Sequence, residues 1–134
     1  MTSNAQINLD RLAAKHAQEI IHRREDKKAS EVDNTVTKTL GVLQENGVYA
    51  CFLYLLAKEK DNGRIVVDEM LNLLDGLGFG WGKPSGNGVE QILQHITDKV
   101  SGDPKQGGLE RLLLAKETLE QMLIYARYGA KARS

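Results

Sequence analysis

Apolar residues recur along most of this chain at helical spacing. Leu9, Leu12, Ala13, His16, Ala17 and Ile20 fall on one face of a 3.6-residue period, with Arg11, Lys15, Gln18 and His22 opposite. Asn8 and Asp10 are the candidate caps of that first helix. The charged run Arg23 to Ser30 ends it. A second helix is expected from Asp33, read as its N-cap, to Asn46-Gly47, with Val36, Leu40 and Leu43 as its stripe. Gly47 suits the C-cap. Val48 to Lys58 reads VYACFLYLLAK and is apolar on nearly every side, which predicts a buried central helix. A buried strand is the competing reading of so short a run. Its length with the flanking charges, and the lack of a partner-strand signal, favour helix. Asn62-Gly63 is expected to end it, and Ile65 to Leu74 to add a short helix, with a strand through Ile65, Val66 and Val67 as the competing reading.

The pattern then breaks. Gly76 to Gly88 holds six glycines, one proline and one charge, Lys83, and reads as a mobile loop. Val89, Ile92, Leu93, Ile96 and Val100 mark another amphipathic helix. A second break at Ser101 to Gly108 contains Asp103-Pro104. The last helix, from about Leu109 to Ala130, is the longest. No internal repeat or sustained alternation of strand type interrupts this order. The expectation is an all-α fold: one bundle of five to six helices spanning residues 1–134, with a glycine-rich loop at about 76–88.

Composition narrows the class. The 134 residues carry 18 basic and 18 acidic groups, so the net charge is zero. That excludes a simple polybasic nucleic-acid binder but leaves a local basic face open. The longest apolar run, Val48 to Ala57, is half of the roughly 20 residues needed to span a bilayer. Met1 to Asp10 holds no apolar leader segment, and the single Cys51 cannot form an internal disulfide. Together these point to a cytoplasmic protein.

Catalytic and cofactor signatures fail on spacing. In GLGFGWGKPSG a phosphate loop would need Ser or Thr at Pro84 and glycine at Leu77. No GxGxxG register fits either. Trp81 is read as an anchor packing the loop to the body rather than a stacking platform. Cys51, inside the apolar helix, is read as a small core residue. His16 packs on an apolar face, and His16 and His22 are six apart, which is not a same-face metal pair. Asp68-Glu69 and Glu117/Glu120 are read as solvated faces. The chain is therefore expected to be neither an enzyme nor a cofactor or metal binder.

Charge placement is more informative. Glu59 to Asp75 has five acids and two bases, whereas Met122 to Ser134 has Arg127, Lys131 and Arg133 and no acid. On the last helix the apolar face runs through Leu112, Leu119, Leu123, Ala126 and Ala130. Lys116, Arg127 and Lys131 lie on one flank, with Tyr128 nearby. Such a flank suits phosphate contact by counterion displacement.

Three stretches together resemble a known family. They are NLDRLAAKHAQEII near the start, TKTLGVLQENGVYACFLYLLAKEK in the middle and LLLAKETLEQMLIYARYGAKAR at the end. The chain resembles the small subunit of the type III-B CRISPR RNA-guided effector, the Cmr complex. Asn46-Gly47 and Leu55-Leu56-Ala57-Lys58 fill the family's central pattern. Lys116-Glu117, Leu119, Arg127, Tyr128 and Ala130 match that of its last helix. Where the family carries tryptophan and two adjacent bases, this chain has Ile124, Ala126 and Arg127. Residues 61–108 lie outside the resemblance. It implies an all-helical, non-catalytic subunit acting in antiviral defence. Copies would stack along the effector, beside the subunits that hold the CRISPR RNA, and line the groove for target RNA. The implied RNA contacts are Arg11 and Lys15 on the first helix and Lys116, Arg127 and Lys131 on the last, with Lys38 and Lys58 as further candidates. Such contacts read backbone and duplex shape, not base edges.

Two other classes compete. One is an unrelated helical protein–protein interaction or regulatory module. As a helix-turn-helix reader it would need a polar recognition helix, and Val48 to Lys58 is too apolar for that role. The other is a small enzyme that uses the glycine-rich loop for a nucleotide.

Overall fold

The computed structural model describes residues 8–133, so the reading of Met1 to Asp10 falls largely outside it. Its helices are α1 (Leu9–Arg23), α2 (Ala29–Asn46), α3 (Val48–Lys58), α4 (Asp61–Gly76), α5 (Val89–His95) and α6 (Gly108–Arg133), with a π-helical segment Ile96–Ser101 continuing α5. Among the described residues no strand forms. The expected all-α bundle is the fold found.

Local signals set several boundaries. Asn8 caps α1, its Oδ1 accepting from the Arg11 amide at 3.0 Å. Ala13, His16, Ala17 and Ile20 form the buried face of α1. Gly47, at φ 97°, closes α2 with its amide donating to the Leu43 carbonyl at 3.0 Å. A side chain would be strained in that left-handed conformation.

Other boundaries differ from expectation. Helix α2 starts at Ala29, so Asp33 lies inside it and is no N-cap. The buried stripe begins at Val32, ahead of Asp33, and so extends the helix backwards. Helix α3 is helical but not buried all round. Cys51, Phe52 and Leu55 are fully covered, whereas Tyr49 is 40% and Leu53 44% exposed. Asn62-Gly63 does not end α3. The chain breaks at Glu59 and Lys60, and Gly63 sits in the first turn of α4. A Cβ on Gly63 would stand 2.5 Å from Glu59 Cβ and 2.9 Å from the Leu55 carbonyl oxygen. Glycine is there to let α4 start against the end of α3. Helix α4 itself is 16 residues long rather than short.

Helix α6 organises the body. Its buried residues Ala115, Leu119, Met122, Leu123, Ala126 and Ala130 receive α1 on one side and α2 on the other. Helix α4 packs on α1 and α3, and the α5–π arm closes against α3 and α6.

The glycine-rich segment is held far more firmly than its composition suggests. Leu77 and Trp81 are buried. Trp81 Nε1–H donates to Asp103 Oδ2 at 2.9 Å, and Phe79 meets the Trp81 ring edge-on at 5.1 Å. Lys83 Nζ donates to Asn72 at 2.6 Å, and Arg64 to the Asn87 carbonyl at 2.7 Å. Asp103 also accepts from Arg111 Nε at 2.9 Å and from the Lys105 amide at 3.0 Å. These donors, Arg111 first, hold its carboxyl far below the usual range.

Two stability outcomes follow from this packing. Gly63→Ala should cost ~1–3 kcal/mol in urea unfolding, because the added carbon meets backbone that cannot move aside; an unchanged midpoint would contradict the close approach. Asp103→Ala should make limited proteolysis cut first within 77–88, faster than in the parent. Equal cleavage rates would mean that the loop is held by something other than the Trp81–Asp103–Arg111 cluster.

Candidate nucleic-acid interface

Helix periodicity places Arg127 and Lys131 one turn apart on the α2 side of α6. There they meet Asp33 of α2. Lys131 Nζ lies 3.1 Å from Asp33 Oδ2, and Arg127 Nε 3.8 Å from Oδ1. Thr37 donates to the same carboxylate at 3.0 Å. Hydrogen bonding from Lys131 leads in holding the Asp33 carboxyl below its ordinary value, with Thr37 and the charge of Arg127 adding to it. A surface groove of about 580 Å³ opens beside the cluster, lined by Ser30, Asn34 and Arg127 among others.

The other candidates stand apart. Lys116 lies 4.0 Å from Glu120 on the same helix. Lys38 edges a shallow α2–α3 groove with Tyr54 and Glu45. Lys58 is exposed in the last turn of α3, where a cation suits the helix dipole. Arg11 and Lys15 are exposed one turn apart on α1. The fold therefore joins Arg127 and Lys131 through one carboxylate, while the remaining five lie on separate stretches of four helices.

A second charged cluster escaped the sequence reading. Asp68-Glu69 was expected on a solvated face, yet Glu69 is buried, at 3% exposure. His16 Nδ1 donates to Glu69 Oε1 at 2.8 Å, Arg23 Nη1 to Glu69 Oε2 at 2.9 Å, and Arg23 Nη2 to Asp68 at 3.0 Å. His16 does lie on the packed face of α1, but as a hydrogen-bond donor rather than a purely apolar filler. Burial opposes ionisation of Glu69, but hydrogen bonds from His16, Arg23 and Asn72 outweigh it and lower its pKa. The spacing of seven residues between His16 and Arg23, which stacks them on one face of α1, is the signal that could have found this network.

Cys51 is the core residue expected. It is fully buried, its Sγ–H points to the Thr39 carbonyl at 3.8 Å, and burial pushes the thiol up to about 12. Among the described residues no group of three or more His, Cys, Asp or Glu could hold a metal ion, and no helix is long and apolar enough to cross a membrane. No family model, no curated protein and no solved structure matches the chain.

Glu69 gives the fold an acid-sensitive joint. Its folded pKa is depressed, so the stability it adds is fully present above the ordinary glutamate value of 4.5 and is lost on acidification below it. Glu69→Ala leaves Arg23 and His16 facing a void and should cost ~3 kcal/mol in urea unfolding at pH 7. The gap to the parent should narrow as pH falls below that value. A gap independent of pH would contradict an ionised Glu69 as the keystone.

Proposed function

We propose that this chain is a non-catalytic small subunit of a type III-B CRISPR effector that contacts RNA through phosphate groups, independently of sequence. The observation that supports the reading best is where the three family-like stretches fall. They form α1, most of α2 with α3, and α6, and α1 and α2 pack on the two sides of α6. The Arg127–Lys131 pair then stands at that junction, held by Asp33. In this reading further copies of the chain and the subunits that carry the CRISPR RNA are its partners, and its place is the cytoplasm.

Asp33 has a defined part in this scheme. It is paired with both bases, so an incoming phosphate competes with an internal carboxylate. Contact strength is set by the difference between the two, and exposed ion pairs of this kind are worth only about 0–1 kcal/mol. A phosphate can therefore displace Asp33.

The experiment is a filter-binding titration of target RNA with the assembled effector across a range of salt. Asp33→Asn should tighten binding about two- to fivefold at low salt by removing the carboxylate that competes with phosphate. Arg127→Gln with Lys131→Gln should weaken it and flatten the logarithmic salt dependence by nearly one unit per lost phosphate contact. Glutamine is the right replacement, since glutamate at 131 would face Asp33 and strain the α2–α6 contact itself. If both variants assemble and bind as the parent does, these residues do not touch RNA.

A second reading, an interaction module unrelated to CRISPR, draws on one observation. Helix α6 exposes Leu109 at 66% and Leu113 at 53%, one turn apart at its start.

A further inference from the structure

On the opposite side of α6 from Asp33, a groove of about 520 Å³ runs between α1 and α6. Its floor is apolar and shallow-sided because Ala14 and Ala17 of α1 and Gly129 of α6 are small. A Cβ on Gly129 would stand 3.2 Å from Ile21 Cγ1, so glycine sets how closely the two helices approach. Polar groups edge this floor. The Tyr125 hydroxyl donates to Asp10, which fixes the phenol ring at one end. Gln18 and His22 line the outer wall, and Glu25 closes the far end.

This combination selects its ligand. The volume lies within the usual range for small-molecule sites, and an apolar floor with a few polar groups at its edge is their common design. The carboxylates Asp10 and Glu25 repel a phosphate from the groove itself but accept hydrogen bonds from N–H groups. Arg11 and Lys15 follow Asp10 and Ala14 by one residue, so the helical turn carries them onto the outer shoulder of the groove. Both are exposed there. A flat ligand with N–H donors on its edge and phosphates beside it meets each requirement. An unstacked base of single-stranded RNA offers both, a hydrogen-bonding edge and a neighbouring phosphate.

We propose that the α1–α6 groove receives one unstacked, amino-bearing base of the RNA strand, with adenine as its type ligand, while Arg11 and Lys15 hold the adjacent phosphates. The inference rests on the RNA reading above but uses a different face of α6. The exocyclic amine faces Asp10 or the Gln18 carbonyl, and the ring lies on Ala14, Ala17 and Gly129. Uracil carries a carbonyl where adenine and cytosine carry the amine, and it sets an acceptor against the Asp10 carboxylate.

The test is a titration of the full chain with adenosine and with uridine, followed by amide chemical shifts. Nucleosides lack phosphate, so they isolate the groove from the basic residues. The Ala14, Gln18 and Gly129 amides should shift, with adenosine binding about fivefold or more tighter than uridine. Ala14→Leu fills the groove and should weaken adenosine about tenfold or more. Gln18→Ala, at an exposed position that cannot disturb the core, should weaken it about threefold. Thermal melts check that both variants are folded. Shifts located elsewhere, equal affinity for the two nucleosides, or Gln18→Ala binding like the parent would each overturn the proposal. The Arg127→Gln/Lys131→Gln chain should bind adenosine normally. If it does, and the assembled effector still ignores RNA, the RNA reading falls and the groove stands as a nucleoside site. If RNA binds but Ala14→Leu and Gln18→Ala change nothing, the groove falls and the phosphate contacts stand.

Discussion

The burial of one face of α6 between α1 and α2 is the constraint on which the rest of this structure depends. Leu119, Met122 and Leu123 are each fully covered there. A side chain of that size is worth about 1.5–3 kcal/mol on burial, against about 0–1 kcal/mol for an exposed ion pair. Packing therefore decides where the helices lie, and the charges follow. With the apolar face committed, one flank of α6 must meet α2, which brings Arg127 and Lys131 to Asp33. The other flank must meet α1, which places Gly129 against Ile21 and Tyr125 against Asp10. Both candidate RNA-facing features are consequences of a single packed helix.

The same constraint explains a neutral protein with local chemistry. Several of its cations are held by internal carboxylates: Arg23 by Asp68 and Glu69, Arg111 by Asp103, Arg127 and Lys131 by Asp33. Most of these pairs bridge two helices or a helix and a loop, so they fix relative placement more than they add stability. A ligand anion has to compete with them. Net charge alone, at zero, would have hidden that competition.

Much of the fold was legible in the sequence because it depends on neighbours in the chain. The α1 stripe, the Asn8 cap, the Gly47 terminus and the core position of Cys51 are all local patterns, and the structure reproduces them. The anchoring of Trp81 was legible as a tendency of large aromatics, although its partner Asp103 was not. What escaped depends on residues distant in sequence. Asp33 looked like a cap because its partners lie about a hundred residues away on α6. Glu69 looked solvated because His16 and Arg23 belong to another helix. Gly63 looked like a helix stop, since nothing in the sequence shows that α4 begins against the Leu55 carbonyl. Of the candidate site, the basic residues were visible individually, but not which of them share a carboxylate. The groove beside them was not visible at all.

The most direct measurement is ultraviolet crosslinking of unmodified target RNA to the proposed effector assembly, with the crosslinked peptides of this chain mapped by mass spectrometry. The account predicts peptides from α1 and from the C-terminal half of α6, on both flanks of that helix. Crosslinks confined to α3, α4 or the 77–88 loop, or none on this chain while its partner subunits crosslink, would contradict it.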